Sequence, residues 1–318
     1  MKLWILAPLM LLCMALPVQG ADQPSWQQEW EQTLKAAQKE GKVAVTGPGG
    51  VEARQALVEP FQKRYGITVE FFGASGRELS PRVMTERRAG LYGWDVYVSG
   101  TTTAIGVMIP NGAFEALEPL LVLPDVKDPN TWRGEALEFV DPGRTLLVTA
   151  RGHRGTLFTN PSLVKPNEFK SYKDLLDPKW KGKILLDDPR RPGPGQATFT
   201  FLYLHPELGM DYIRALARQD PHILRDYLQE ADFVAQGRYP VLLGGYDVAV
   251  ENRIRQGVPI TIVDPRQLRE GSDISSSNGA IAYYRRAPHP NAAKVYVNWL
   301  LSREGQTEFA RRMLYVSA

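Results

Sequence analysis

The sequence Ala287-Pro288-His289-Pro290-Asn291-Ala292-Ala293, continued as far as Gln306, carries the clearest structural pattern in this chain of 318 residues. Its apolar residues recur at intervals of three and four, as in a helix with one buried face: Ala292, Val295, Tyr296, Trp299 and Leu300. Asn291 is placed to cap this helix, and Ser302 to cap a second helix with Glu304 in its first turn. The pattern predicts two consecutive helices docked on a protein core.

The first 20 residues have the parts of a secretory signal peptide. Lys2 provides the positive start, an apolar run extends from Leu3 to Leu16, and small residues precede a predicted cleavage after Gly20. The run is shorter than the roughly 20 residues that a membrane-spanning helix needs, which disfavours an anchor. We therefore predict that residues 1–20 are a cleaved signal peptide and that the mature protein is periplasmic.

The single cysteine, Cys13, lies inside this predicted signal, so the mature chain is expected to contain no thiol and no disulfide. Lipid attachment at Cys13 is disfavoured because Met10-Leu11-Leu12 lacks the small residue expected just before a lipidated cysteine. The formal net charge is only +3, and no basic run is interleaved with aromatic residues. A nucleic-acid partner is therefore not expected.

The first half of the mature chain alternates strands with helices. Three short apolar runs predict strands, at Lys42–Thr46, Ile67–Phe72 and Asp95–Ser99, and helical patterns lie between them. This alternation is typical of a parallel, doubly wound sheet. Because ligands collect at the carboxyl ends of such strands, the loops 46–50, 73–76 and 99–102 are expected to share one ligand-binding edge.

Residues 144–160 break this alternation with two extended runs around Arg151-Gly152-His153-Arg154-Gly155, and the alternation then resumes. We predict two doubly wound α/β lobes joined by crossing strands. The predicted boundaries are residues 21–145 for the first part of lobe 1, residues 146–273 for lobe 2, and residues 274–318 for the return to lobe 1.

Three segments in the same order carry a resemblance to a known family. They are FQKRYGITV (Phe61 to Val69), LLDPKWKGK (Leu175 to Lys183) and the 287–306 segment. Together they resemble the substrate-binding proteins of ABC importers, in the ferric-iron-binding-protein-like group. The resemblance implies a type II two-lobe fold that closes on a ligand in its cleft, and a monomer that docks on a membrane permease with its ATPase. It also implies that no chemistry is done on the ligand.

The chain departs from the ferric members of this group at the metal ligands. Those members hold iron with adjacent tyrosines, whereas the matching segment here is Gly244-Gly245-Tyr246. Thr101 stands where an acidic ligand is expected, and Gly49 and Gly50 stand where a histidine is found in some members. No metal or cofactor is therefore predicted, and a ferric-iron-binding protein remains the alternative.

The loops at the expected edge indicate a small anionic solute instead, such as a carboxylate or a phosphorylated or phosphonate compound. Glycine-rich loops before helices expose backbone amides, and guanidinium groups bind carboxylate or phosphate through paired hydrogen bonds. Asp187, Asp188 and Asp247 are placed to pair with some of the arginines. The candidate ligand-binding residues are Gly49, Gly50, Ser75, Ser99, Thr101, Arg151, Arg190, Arg191, Tyr246 and Ser276.

An enzyme on the same scaffold is the competing class, together with a ligand-binding component of a membrane sensor. The sequence contains no Gly-x-Ser-x-Gly motif, and its four histidines are far apart without metal-ligand spacing. We therefore predict a binding protein without catalytic residues. The Tyr283-Tyr284 pair falls in a predicted strand, where alternation places the two rings on opposite faces.

Overall fold

A computed structural model describes residues 25–276, 278–313 and 316–317 of the chain. The predicted signal peptide and Cys13 lie outside the described residues. No helix in the described part of the chain is long and apolar enough to cross a membrane.

Helices cover much of both halves of the chain. The α-helices of the described residues are α1 (Ser25–Glu40), α2 (Val51–Leu57), α3 (Glu59–Tyr65), α4 (Gly76–Arg88), α5 (Thr101–Thr103), α6 (Pro124–Lys127), α7 (Pro194–Leu204), α8 (Gly209–Ala217), α9 (Tyr227–Ala235), α10 (Asp247–Arg255), α11 (Pro290–Leu301) and α12 (Arg303–Met313). A π-helical turn, Ala104–Met108, continues α5. Short 3-10 turns lie at Glu118–Leu120, Pro129–Thr131, Tyr172–Leu176, Pro178–Trp180 and Pro265–Gln267.

Short strands alternate with these helices. They are β1 (Lys42–Gly47), β2 (Thr68–Gly73), β3 (Val96–Ser99), β4 (Phe114–Glu115), β5 (Leu146–Val148), β6 (Ala150–His153), β7 (Leu157–Thr159), β8 (Ile184–Asp187), β9 (His222–Leu224), β10 (Val241–Leu243), β11 (Thr261–Ile262), β12 (Ile274–Ser275), β13 (Ala280–Tyr284) and β14 (Val316–Ser317). The predicted strands at the start of the chain match β1, β2 and β3 to within one or two residues.

The first lobe is built on a sheet with the strand order β2-β1-β3-β13-β4, in which β5 also pairs with β13. The strands β1, β2 and β3 are parallel, as the alternation predicts, and β13 returns antiparallel to β3. Because Leu146 in β5 pairs with Ala282 in β13, the first sheet continues past the predicted lobe boundary at residue 145. Tyr283 and Tyr284 contribute to separate hydrophobic clusters, so their rings do lie on opposite faces.

The second lobe is built on a sheet with the strand order β11-β7-β10-β8-β9. Here β8 is parallel to β9 and β10, whereas β7 is antiparallel to β10. The strand β6 lies between β5 of the first sheet and β7 of the second, and it pairs with β12 and β14 in a small third sheet. The structure therefore has the predicted two α/β lobes and the predicted crossing strands.

The helix α11 is the docked helix that the 287–306 segment predicts. Trp299 and Tyr296 are fully buried, and their ring centroids lie 5.3 and 4.9 Å from that of Phe61 in α3. The neighbouring Ser302 accepts a hydrogen bond from the Gly305 backbone N–H at 3.4 Å, which fits its predicted role as the cap of α12.

The predicted cap of α11 was wrong. The helix begins at Pro290, with His289 at the N-cap position, so Asn291 is already inside its first turn. The carboxylate of Glu40, at the end of α1, accepts hydrogen bonds from the backbone N–H groups of Asn291 (3.2 Å) and Ala292 (2.7 Å). Proline favours the first position of a helix, so α11 begins at Pro290, one residue before Asn291. Glu40 of α1 then accepts the hydrogen bonds that a capping side chain would have accepted.

Candidate ligand-binding cleft

An inner pocket of about 60 Å³ lies between the two lobes. Segments that follow β2, β3, β8 and β10 form most of its wall, as expected for the carboxyl ends of parallel strands. They contribute Ser75 to Arg77, Ser99 and Gly100, Gly193 and Pro194, and Tyr246 and Asp247. Arg154, Ser275 and Asn278, from the segments that join the lobes, also line it, as do Thr102, Thr103, Ala197 and Tyr227.

Arg154 is an almost completely buried guanidinium in this wall, with 4% of the residue exposed. It donates hydrogen bonds to the Pro194 carbonyl (2.8 Å), Thr198 Oγ1 (2.9 Å) and Asp273 Oδ1 (3.1 Å). Its Nε is buried and has no hydrogen-bond partner among the described residues. Its charge is paired with Asp273, and Nε is the one nitrogen of the guanidinium left without a partner in the described part of the chain, which is costly for a buried charged group.

Arg77, near the start of α4, forms an ion pair from the first lobe to the second. Its two terminal nitrogens donate to the Asp187 carboxylate at 2.7 and 2.9 Å, and the two side chains are only 8% and 0% exposed. The guanidinium also stacks 4.4 Å from the centre of the Tyr227 ring. The pair therefore ties the lobes together across the cleft.

Gly193 makes this close approach possible. Its φ of +148° is one that side chains disfavour, and a Cβ there would stand 2.7 Å from Tyr227 Oη and 3.0 Å from an Arg77 terminal nitrogen. Any larger residue at position 193 would therefore push apart the groups that close the inner pocket.

Two tyrosines from separate helices meet in the inner pocket. The rings of Tyr227, the first residue of α9, and Tyr246, just before α10, have centroids 4.9 Å apart. Asn278 donates to Tyr246 Oη at 3.4 Å. Burial raises the pKa of both phenols well above the usual 10, so both stay protonated at neutral pH.

An outer cleft of about 910 Å³ adjoins the inner pocket and shares Thr102, Ala197 and Ser275 with it. Both lobes contribute to its walls, through the segment that begins at Thr101 and through α7. Ser276 donates a hydrogen bond to Thr101 Oγ1 at 3.0 Å at this junction. The inner pocket therefore opens toward a larger, partly apolar space.

Residues 56–318 match the family model described as Bacterial extracellular solute-binding protein. The chain belongs to this family. The resemblance to substrate-binding proteins of ABC importers is thereby confirmed, and the cleft just described is the candidate binding site of a solute-binding protein.

Solved structures similar to this solute-binding protein share its fold. The periplasmic binding protein AfuA from Actinobacillus pleuropneumoniae, with exogenous fructose-6-phosphate bound, is 20% identical with a TM-score of 0.62, over 88% of this chain and 85% of AfuA. Iron-bound HitA from Pseudomonas aeruginosa is 16% identical with a TM-score of 0.59, over 87% and 85% of the two chains. Identities this low establish the two-lobe fold and leave the ligand open.

A similar sequence comes from Haemophilus influenzae. This uncharacterized protein is 30% identical over 141 residues, which is 43% of the present chain. The match spans only 38% of the relative's length.

The structure places the ten candidate residues in different surroundings. Ser75, Ser99 and Tyr246 line the inner pocket, whereas Thr101, Arg151 and Ser276 line the outer cleft. Gly49, Gly50, Arg190 and Arg191 line neither of these two spaces in the described part of the chain. Gly50 instead precedes α2, and Arg191 lines a separate pocket.

Several candidate side chains already have partners within the protein. Ser75 caps α4, and its hydroxyl donates to Glu78 at 2.7 Å. Arg151 pairs with Glu138, and Arg190 pairs with Asp188 through contacts of 2.8 and 3.0 Å. The pairing with Asp188 is one that the sequence anticipated, and it leaves Arg190 two-thirds exposed, with 68% of its side chain accessible.

The ten ligand-binding candidates did not include several polar residues of the inner pocket: Arg77, Thr102, Thr103, Arg154, Tyr227, Asp247, Ser275 and Asn278. Arg77 follows directly after the 73–76 loop that was expected at the edge, which is a signal that could have found it. Tyr227 had no such signal, because it begins a helix outside the loops expected at the edge and lies 19 positions before Tyr246. Among the described residues, no group of three or more His, Cys, Asp or Glu side chains could hold a metal ion.

Proposed function

We propose that this protein captures a small organic anion in the cleft, with its acidic group in the inner pocket and the rest of the solute extending into the adjoining outer cleft, and delivers it to an ABC import permease and its ATPase. The solute carries a carboxylate, phosphate or phosphonate group. The protein acts as a periplasmic monomer, exported through the signal peptide at residues 1–20, and it releases the solute unchanged. Its family supports the solute-binding role, and the pocket supports the choice of solute.

The main support for this proposal is the position of Arg154. Its guanidinium lies in the inner-pocket wall, is 4% exposed, and has a buried Nε without a partner. A carboxylate or phosphate oxygen is the strongest acceptor for such a donor. The start of α4 adds a helix N-terminus to the same wall, which also favours negative charge.

The remaining polar groups of the pocket suggest what else the solute carries. Asp247 is nine-tenths buried in the wall, and the neutral phenols of Tyr227 and Tyr246 lie nearby. A carboxylate and neutral hydroxyls bind hydroxyl groups well. A phosphorylated or carboxylated polyol would therefore place its acid near Arg154 and its hydroxyls near Asp247. The bound fructose-6-phosphate in AfuA supports this class.

Ferric iron is the second candidate function. It is favoured by the contact between Tyr227 and Tyr246, whose ring centroids are 4.9 Å apart, and by the iron in HitA. Iron would have to displace protons from two phenols whose pKa burial raises well above 10. The organic anion needs no such step and is the better supported of the two.

The test is a thermal-shift and calorimetric screen of the mature protein with fructose 6-phosphate, citrate and ferric iron. A bound solute should raise the melting temperature by mass action. We expect an organic anion to stabilise the wild type and Arg190→Gln, an exposed control outside the pocket. Arg154→Gln should lose at least about tenfold in affinity, because a charge-assisted hydrogen bond is removed.

Two results would contradict the proposal. Stabilisation by ferric iron alone, with a visible tyrosinate absorption band, would favour the iron function. A product detected by NMR after incubation with the bound anion would favour an enzyme.

A further inference from the structure

A separate pocket of about 300 Å³ lies where α4 of the first lobe meets the Arg191–Pro192 segment of the second. We call it the seam pocket. It borders the inner pocket, with which it shares Arg77 and Thr103. Its volume is at the lower end of the range of small-molecule sites.

The seam pocket is lined by three arginines, Arg77, Arg88 and Arg191, and its described lining residues include no carboxylate. The side chains of Arg88 and Arg191 form no ion pair or hydrogen bond within the described residues. Arg190, the neighbour of Arg191, is by contrast paired with Asp188. Two exposed guanidinium groups without a partner carboxylate among the described residues, one from each lobe, therefore border a common space.

Arg77 is the third arginine of the lining, and its charge is already paired. Its side chain is 8% exposed, and although its terminal nitrogens bind Asp187, its Nε is buried without a partner. Neutral hydrogen-bonding groups complete the lining, namely Ser80, Thr85 and Asn111. The lining thus combines charged donors with neutral ones and places no acidic group among them.

We propose that the seam pocket is a second anion site, distinct from the inner pocket. It binds a small multivalent anion such as a diphosphate or a polycarboxylate. One such anion can accept hydrogen bonds from Arg88 of the first lobe and Arg191 of the second at the same time. Guanidinium groups bind these oxygens through paired, charge-assisted hydrogen bonds. A monovalent anion cannot satisfy both arginines as well.

The site has a consequence for closure of the cleft. Because its two sides belong to different lobes, the anion binds the closed arrangement more tightly than an open one and shifts the population toward it. Binding at the seam and binding in the inner pocket must then strengthen each other by the same factor. Arg77 and Thr103 line both spaces, and Arg77 is the charged residue of the two.

The experiment measures binding of inorganic pyrophosphate to the mature protein by calorimetry at fixed ionic strength, with acetate as the monovalent comparison. Arg88→Gln and Arg191→Gln remove the two unpaired charges. Arg82→Gln and Arg190→Gln are matched controls, since each removes one exposed charge from the same helix or loop without touching the seam pocket. We expect each seam variant to weaken binding by about tenfold or more and each control to leave it unchanged.

Three outcomes would overturn the inference. One is no binding of pyrophosphate by the wild type, and another is an equal loss in all four variants, which would indicate general charge attraction. The third is a loss in Asn278→Ala, an inner-pocket variant, but not in Arg88→Gln. That last result would place the anion in the inner pocket, so it would overturn the seam site and still support the proposed function. Circular dichroism confirms that each variant is folded.

Discussion

Glu230 is a buried acid next to Asp187, the residue that pairs with Arg77 across the cleft. It lies on α9, its residue is 0% exposed, and no donor reaches its carboxyl oxygens among the described residues. Burial, and then the neighbouring Asp187 carboxylate, raise the pKa of Glu230 well above its usual 4.5. The side chain is therefore neutral at pH 7, and it lies beside the Asp187 carboxylate that pairs with Arg77.

Replacing this acid should change how stability depends on pH. Because the pKa is raised on folding, the native state binds more protons than the unfolded chain above about pH 4.5, and the free energy of unfolding falls as pH rises. Glu230→Gln keeps the neutral shape. We expect its melting temperature to exceed that of wild type by a few degrees at pH 8. In a protein of this size, each kcal/mol of unfolding free energy shifts the melting temperature by about 2–4 °C.

The difference between Glu230→Gln and wild type should shrink as the pH falls and vanish below about pH 4.5, where the wild-type side chain becomes protonated in the unfolded chain as well as in the native state. Scanning calorimetry between pH 5 and pH 8 measures this. Glu29→Gln, at an exposed pair with Lys294, is the control that should leave the pH profile unchanged. Parallel profiles for wild type and Glu230→Gln would contradict the prediction.

Individual side chains also show where sequence reasoning about the site ends. Because the carboxyl ends of parallel strands share an edge, the sequence indicates where a site should lie. Ser75, Ser99 and Tyr246 line the inner pocket, whereas Gly49 and Gly50 of the 46–50 loop line neither the inner pocket nor the outer cleft. The sequence does not tell which arginines are free to face a solute. Arg190 pairs two residues away with Asp188, whereas Arg77 pairs 110 residues away with Asp187. Only the second contact depends on how the lobes meet.

The start of α11 gives a prediction about a single element. Glu40 accepts hydrogen bonds from two first-turn N–H groups of this helix, at 3.2 and 2.7 Å, and from the Asn291 side chain at 2.7 Å. Glu40→Ala removes all of these acceptors. It should cost about 1 kcal/mol of unfolding free energy, the usual cost of losing a cap, and lower the melting temperature by a few degrees.

Glu40→Gln is the matched variant, because it keeps an acceptor oxygen and loses only the charge. Its melting temperature should lie between those of wild type and Glu40→Ala, since the charge near the helix start contributes less than the cap. Equal stability of Glu40→Ala and wild type, measured by thermal denaturation, would show that the contact does not stabilise α11.

The elements themselves are largely predictable because each has a local signal. The spacing of Val295, Tyr296, Trp299 and Leu300 predicts α11, and the alternation of short apolar runs predicts β1, β2 and β3. The cap was missed because its acceptor belongs to α1, 251 residues away in the chain. The predicted lobe boundary at residue 145 falls just before β5, whose Leu146 pairs with Ala282 of β13, and no local pattern records such a long-range contact.

The whole molecule depends on how two lobes with separate cores are held together. The sequence predicts both lobes and the crossing strands, because residues 144–160 interrupt one alternation and a second follows. It does not predict the contact that closes them. Arg77 and Asp187 form that contact as a buried ion pair, with side chains 8% and 0% exposed. A contact of this kind should set the balance between open and closed arrangements.

Arg77→Gln should open the ligand-free protein. The substitution leaves the Asp187 charge buried without its partner, which costs roughly 3–5 kcal/mol for a buried pair, and lobe separation returns that carboxylate to water. We expect a larger radius of gyration by small-angle X-ray scattering and weaker binding of the solute.

Arg82→Gln, on the same helix but paired with Glu86, should behave as wild type. The double variant Arg77→Met with Asp187→Asn removes both charges, so it should recover melting temperature while staying open. If Arg77→Gln has the wild-type radius of gyration, the ion pair is a consequence of closure and does not hold the lobes together.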